Sequence, residues 1–494
     1  MSWIKQIEHW ATERADKIAV VCGKEKISYK MLIDKTTCLA VKIVNLKKVD
    51  AQIPIVIVCN RGIGFIIAIL ASIRSGNYYV PIETPYPLER IKNILHQFDN
   101  YIVITQANLL QFFEDRNNII CIDEQEETQS TEFLAPLDYK KNPLCYCIFT
   151  SGTTGMPKGV LISHQNVDNL INGFLATIYS KIDITVNVGV LSNFSFDASV
   201  KQIFGALFWG HTLVIAKREE RMFPNKLQKY LEQQNIYIVD GTPSIYQLLI
   251  KKEKKNDINV KIFLIGGEVM HWSFLNRFYD YLGYNPVVIN VYGPSECCVD
   301  ASAYWIYGKV LNYVNDIVPI GKPIANTCFF IKESTEGDSE KGELIIAGKL
   351  VGEGYVNYKS ASFSYDDKFG KIYKTGDIVY RDSENNYVIV GRTDDQIKIN
   401  GNRIELAELE NVISNITGGE VVACYLKESV ESIYVFVYAQ EGVAFDEVVV
   451  KKKVKDLLPS YAIPRKIFFL RQNFPITDNG KIDKKKLLDE YVKR

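Results

Sequence analysis

The sequence predicts an α/β protein: a large N-terminal domain of helix-covered parallel sheets, a small β-barrel-like region, and a small α+β domain at the C-terminal end. Three observations carry this. Short β-branched apolar runs alternate with helical stretches up to about Tyr304, and such alternation implies parallel sheets covered on both faces. The pattern then turns into Gly-punctuated segments (GKPIANTCFFI, GELIIAGKLVGEGY, YKTGDIVYR, NYVIVGR) that read as antiparallel strands. A polar break, GRTDDQ at Gly391 to Gln396, precedes a tail of roughly 100 residues, enough for a domain of its own.

The elements follow in order. Apolar runs of strand length lie at Ile53–Cys59, Tyr101–Thr105, Asn118–Ile122, Leu144–Phe149, Thr212–Ala216, Ile236–Val239, Ile262–Ile265 and Val287–Val291. Helical stretches lie at Phe65–Ser75, Pro87–Phe98, Asn166–Thr177, Val200–Trp209, Asn225–Gln234 and Trp272–Leu282. Beyond the polar break come a strand, a helix over Glu405–Ile416, strands over Val421–Leu426 and Ser432–Gln440, and a Lys-rich helical end. The boundary divides the chain into a core of residues 1–391 and a cap of 392–494. The lysine runs at Lys251–Lys255 and Lys451–Lys455 read as solvated helix faces.

Composition excludes several classes. With 58 Lys+Arg against 58 Asp+Glu the chain has no basic excess for coating nucleic acid. At 47% hydrophobic over 494 residues it buries a full core, which excludes wholesale disorder. The opening MSWIKQIEHWATERADKIAVV has no apolar signal-peptide core, and the longest strongly apolar run, Gly64 to Ile73, is too short to span a bilayer. The ten cysteines lack zinc-ligand spacing. Reduced, mostly buried thiols in a cytoplasmic protein, as a monomer, are expected.

Phe149–Val160, FTSGTTGMPKGV, carries the strongest chemical signal. Its glycines let backbone N–H groups converge, and its hydroxyls and Lys158 add donors, a combination suited to a polyphosphate held between a strand and a helix. It is not a Walker A loop, because Pro157 precedes Lys158.

That loop resembles the phosphate loop of the adenylate-forming enzymes: acyl-CoA synthetases, luciferases and the adenylation domains of nonribosomal peptide synthetases. IRSGNYYVPIE, NFSFDASV, NVYGPSE, GELIIAGKLVGEGY, YKTGDIVY, GRTDDQIKINGNRIELAELE and NGKIDKKKL follow in the family's order over essentially the whole chain. The resemblance implies the adenylate-forming fold and ATP with Mg²⁺. It assigns Thr150, Ser151, Gly152, Thr153, Thr154, Gly155 and Lys158 to the phosphates, with Gly267 and Ser295 also at the nucleotide. Asp377, at a tight turn in TGD, takes the ribose hydroxyls with Arg392 nearby. Tyr292 offers a face to adenine, Asn290 an amide to its exocyclic amine, and Glu296 an oxygen to Mg²⁺. Lys481 is the catalytic lysine bridging substrate carboxylate and α-phosphate, and Asp394 is the hinge of a rotating cap. One departure is visible: KING at Lys398 to Gly401 puts Asn400 where many members carry arginine, which bears on carrier docking.

Asp197 separates the branches. An amino-acid substrate brings an ammonium that needs a counter-ion, whereas plain acids do not; the competing role is a helix N-cap. The family's pocket positions carry over to Asp197, Ala198, Lys201, Asp240, Leu264, Gly266, Val291, Val299 and Asp300, which resemble the glutamate-activating signature of lipopeptide synthetases. Lys201 would pair with a side-chain carboxylate. If Asp240 and Asp300 neutralise Lys201 internally, glutamine or another polar residue fits instead.

The implied reaction is attack of the amino acid's α-carboxylate on the α-phosphorus of Mg·ATP, then transfer to the phosphopantetheine thiol of a peptidyl carrier protein. No GGxS carrier motif follows and no HHxxxDG motif precedes, so the expectation is either a stand-alone enzyme loading its carrier in trans or an excised module. The alternatives are an acyl- or aryl-CoA ligase, a D-alanine–carrier protein ligase, and a non-catalytic nucleotide-binding module.

Overall fold

The computed structural model describes residues 3–113, 117–124, 138, 140–151, 157–250, 258–313, 315–333, 341–394, 396–399, 401–427, 431–438, 446–471, 474–476 and 482–493. They fall into two units. The larger comprises Met1–Thr84, Phe98–Phe149 and Gly159–Thr393, and the smaller comprises Pro85–Gln97, Thr150–Lys158 and Asp394–Arg494.

Two large sheets build the first unit. One has nine strands in the spatial order Lys322–Pro323, Ser302–Ile306, Val287–Tyr292, Ile262–Gly266, Ile236–Gly241, Asn187–Val190, Thr212–Ile215, Ile18–Cys22 and Glu25–Ser28. The six inner strands are parallel, and antiparallel strands close both edges. The other has seven strands, in the order Gly354–Tyr355, Lys158–Ser163, Leu144–Thr150, Tyr78–Thr84, Pro54–Asn60, Ile102–Thr105 and Ile119–Cys121. Its last five are parallel. A buried run such as PIVIVC shows no polar alternation because both faces of its strand are covered.

The apolar run that is too short for a membrane forms the helix Ile63–Arg74, whose residues Phe65 to Ile73 are all buried. It packs against strands of both sheets, which explains why it is apolar all round. Burying each of its Ile and Leu side chains contributes about 1.5–3 kcal/mol. Among the described residues no helix is long and apolar enough to cross a membrane.

The region after Tyr304 holds a five-stranded antiparallel sheet of Thr327–Glu333, Lys341–Gly348, Gly370–Arg381, Phe363–Asp366 and Tyr387–Arg392. In the second unit a hairpin, Gln396–Ile399 with Asn402–Glu405, leads into the helix Leu406–Thr417. A three-stranded sheet (Glu420–Leu426, Ser432–Tyr438, Lys466–Leu470) and the helices Glu447–Leu457 and Lys484–Tyr491 complete the tail. The helix Leu88–Leu95 belongs to the same unit. There Arg90 pairs with Glu408 at 2.8 Å, both buried, and also donates to the Tyr86 hydroxyl at 3.1 Å.

Two expectations are corrected. The segment after the phosphate loop is the strand Lys158–Ser163 rather than a helix, beside Leu144–Thr150 in the sheet. Val160, Leu161 and Ile162 favour the strand, and a side chain at Gly159 would meet Cys147 Sγ at 2.8 Å, so this strand must lie close on its neighbour. The helix expected over Asn166–Thr177 starts at His164 and passes through a π-turn, Ile171–Leu175.

Candidate active site

Four residues expected to line the pocket, Asp240, Leu264, Gly266 and Val291, lie toward the C-terminal ends of neighbouring parallel strands, where open α/β sheets place their ligands. Asp240 lies beside Leu264, and Gly266 beside Val291. A Cβ at Gly266 would stand 2.4 Å from Val291 O, so the strand approach itself demands glycine there. From the helix Ala198–Phe208, Lys201 reaches both buried carboxylates, Nζ lying 2.7 Å from Asp240 Oδ2 and 2.9 Å from Asp300 Oδ2. Burial works against the charge of Lys201, but the two carboxylates outweigh it and hold the ammonium above its usual range. Burial also pushes the Asp240 carboxyl up to about 7, with Lys201 pulling the other way, and raises that of Asp300. Lys201 is thus paired within the protein, the arrangement that leaves a neutral polar substrate open.

A strained turn delivers Asp300. Val299 sits at φ 77° and Asp300 N–H donates to Cys298 O at 3.1 Å, a γ-turn that a β-branched residue rarely adopts. Gly293 makes it possible: a Cβ there would lie 2.3 Å from Val299 O. Backbone strain of this size costs about 1–3 kcal/mol and clusters at functional sites.

Asp197 occupies the N-cap position of the Lys201 helix, yet its side chain makes no capping hydrogen bond. Both it and Ala198 are half-buried rather than sealed in the core. The loop that carries it is fixed by a network that the sequence reading missed. Glu83 bridges Arg61 and Arg221, each at 2.9 Å, and accepts Phe194 N–H at 2.9 Å. Arg61 also donates to Ser192 O and Val190 O, both at 2.7 Å, and lies over the Phe194 ring. The signal was present: Glu83 ends the IRSGNYYVPIE motif, and an acidic residue at the end of a buried strand needs a partner.

Among the residues expected at the nucleotide, Asp377 Oδ2 accepts from the Tyr292 hydroxyl at 2.5 Å while Oδ1 pairs with Arg392, directly opposite on the adjacent strand. The expected tight turn at TGD is instead a bulge within the strand Gly370–Arg381: Thr375, Gly376 and Asp377 face the single Leu344, with Gly376 at φ 73°. Strand pairing on both sides leaves no room for a turn, and a bulge re-aims the carboxylate instead. Asn290 donates to Pro319 O at 2.7 Å. Ser295 and Glu296 share a short 3₁₀ turn, and buried Glu296 accepts from the Tyr355 hydroxyl at 2.6 Å. Its carboxylate is a hard oxygen donor, the ligand chemistry that suits Mg²⁺. Gly267 is exposed at φ 82°.

In the second unit the Ser151 hydroxyl donates to Arg403 O at 3.0 Å, and Asp394 accepts from Gln396 N–H at 3.3 Å. Thr150 ends its strand and Lys158 begins the next. Gly152, Thr153, Thr154, Gly155, Asn400 and Lys481 lie outside the described residues.

Comparison with known proteins fits this geometry. The AMP-binding enzyme family matches residues 7–356. Bacitracin synthase 1 of Bacillus licheniformis is 34% identical over 494 residues, covering 97% of this chain but only 9% of that protein. The chain therefore spans about a tenth of that relative's length. Among solved structures, PA1221, an NRPS protein containing adenylation and PCP domains, superposes with a TM-score of 0.83 at 21% identity, over 99% of this chain and 84% of that one. The Vibrio cholerae adenylation domain AlmE, in complex with glycyl-adenosine-5'-phosphate, gives 0.80 at 21% identity, over 100% and 97%. With the family match spanning most of its length, the chain belongs to the AMP-binding enzyme family and carries the adenylate-forming fold.

Proposed function

We propose that this chain adenylates an amino acid, L-glutamate, with Mg·ATP and passes the aminoacyl group to the phosphopantetheine thiol of a peptidyl carrier protein in trans. The observation that carries the reading is a half-buried Asp197 and a buried Lys201 one helical turn apart at the start of the helix Ala198–Phe208. Asp197 meets the α-ammonium and Lys201 the side-chain carboxylate, while Leu264, Val291 and Val299 close the apolar walls. Asp377 takes the ribose, displacing the Tyr292 hydroxyl, with Arg392 behind it. Glu296 would hold Mg²⁺, which would neutralise phosphate charge. The loop Thr150–Lys158 cradles the phosphates, and Lys481 joins the two reacting anions. Rotation of the cap at Asp394 separates the two half-reactions. The bacitracin synthase similarity and the glycyl-adenylate seen in AlmE support the amino-acid class.

The pairing of Lys201 with two carboxylates favours a second reading, glutamine, whose amide leaves the charge of the pocket unchanged. ATP–pyrophosphate exchange across all amino acids decides between them. Fastest exchange with glutamate supports the first, fastest with glutamine the second, and fastest with an apolar residue rejects both.

A further inference from the structure

The Asp240–Lys201–Asp300 cluster has a charge balance that a carboxylate substrate must alter. One ammonium and two carboxylates, all buried, sum to −1. A glutamate side chain would take the buried cluster to −2 in a low-dielectric floor, where unpaired charge is strongly disfavoured. A glutamine side chain leaves it at −1, its amide hydrogens meeting the aspartates.

Among the described residues no second cation acts on Asp240 or Asp300. Tyr246 and Tyr179 are the titratable groups facing Asp240 from neighbouring helices, and burial keeps both hydroxyls neutral. Cys298, facing both Asp197 and Asp300, has its thiol pushed up by burial, as does Tyr146 beside it. Gln202 is neutral, and its amide is held by Ser192. The Asp197 carboxylate is committed to the substrate ammonium in the proposed reading.

We propose that the pocket admits a side-chain carboxylate only together with one solvent proton, which settles on the Asp240 carboxyl and is donated in a hydrogen bond to the substrate carboxylate, whereas a carboxamide enters without it. No covalent bond forms or breaks, and the proton returns to solvent when the glutamyl group leaves. The inference rests on the glutamate reading and adds the means of selection. The raised carboxyl of Asp240 agrees with it, since a group near 7 takes up a proton readily at neutral pH.

The test is the ratio of kcat/KM for L-glutamate to that for L-glutamine in ATP–pyrophosphate exchange from pH 6 to pH 9. The ratio cancels the pH effects of ATP, of the α-amino group and of the rest of the site. It should be level near pH 6 and fall about tenfold per pH unit above pH 7, as one linked proton requires. In Asp240→Asn the charge is relieved without a proton, so the fall should flatten and glutamate should gain on glutamine at pH 8.5. Asp300→Asn, the second variant, should flatten it likewise. A glutamate/glutamine ratio that stays level from pH 6 to pH 9 in the unmodified enzyme overturns the proton linkage alone. Absence of glutamate-dependent exchange even at pH 6 overturns both the linkage and the glutamate reading.

Discussion

Glu83 offers the sharpest mutational test of how the amino-acid loop is held. Its carboxylate pairs with two guanidinium groups, each at 2.9 Å, and accepts the Phe194 N–H, with only 4% of the side chain exposed. Glu83→Ala deprives two half-buried arginines of their carboxylate partner, leaving them only backbone carbonyls. Breaking one buried pair costs about 3–5 kcal/mol, and orphaning a buried N–H costs about 1–3 kcal/mol. A loss of about 5 kcal/mol is therefore expected in the urea unfolding of the larger unit. Glu83→Gln keeps one acceptor and the side chain's shape, so it should lose about half as much. The same network positions the loop from Ser192 to Asp197, so in Glu83→Gln the KM for the amino acid should rise several-fold more than the KM for ATP. Stability of Glu83→Ala within about 1 kcal/mol of the unmodified protein, with both KM values unchanged, would refute the reasoning.

Other consequences follow from buried charge. Arg90→Leu alone should destabilise the smaller unit by about 3–5 kcal/mol, while the double change with Glu408→Leu should recover most of the loss; equal losses in single and double variants would contradict the pairing. Burial lowers His164 to about 3 and His211 to about 4, so both stay neutral in the fold while the unfolded chain takes up protons below pH 6.5. Stability is complete above that value and declines as pH falls through it, by at most about 5.6 kcal/mol at pH 4.5, counting two groups over two pH units at about 1.4 kcal/mol each. His164→Gln should remove part of that acid sensitivity in urea titrations at pH 4.5 and 7. Asp377→Asn should raise the KM for ATP roughly 10–100-fold, from the loss of charged hydrogen bonds, with the amino-acid KM little changed.

Much of the fold was legible because the parallel strands are buried on both faces and read as unbroken apolar runs such as IPIVIVC and IFLIG. Strands lacking that signature escaped notice. Glu25–Ser28 is an edge strand with exposed Glu25 and Lys26, and Asn187–Val190 is short and interrupted by glycine. The motifs singled out Lys201, Asp240, Leu264, Gly266, Val291 and Asp300 one by one, but not which of them pair with one another. The sequence left open whether Asp240 and Asp300 neutralise Lys201; the fold brings the three, from a strand end, a turn and a helix, together at one ammonium. The γ-turn at Val299 was equally hidden, since valine gives no hint of a positive φ, although Gly293 permits it. Glu83, Arg61 and Arg221 come from three distant segments, and no local pattern joins them.

The central claim is that the chain activates an amino acid, recognised through Asp197, and not a plain carboxylic acid. ATP–pyrophosphate exchange with L-glutamate and with glutarate, which lacks only the amino group, tests it most directly. Glutamate should exceed glutarate by about 100-fold in kcat/KM, the worth of a partly buried charge-assisted contact, and Asp197→Asn should erase most of that difference. Equal exchange with the two acids would contradict the account.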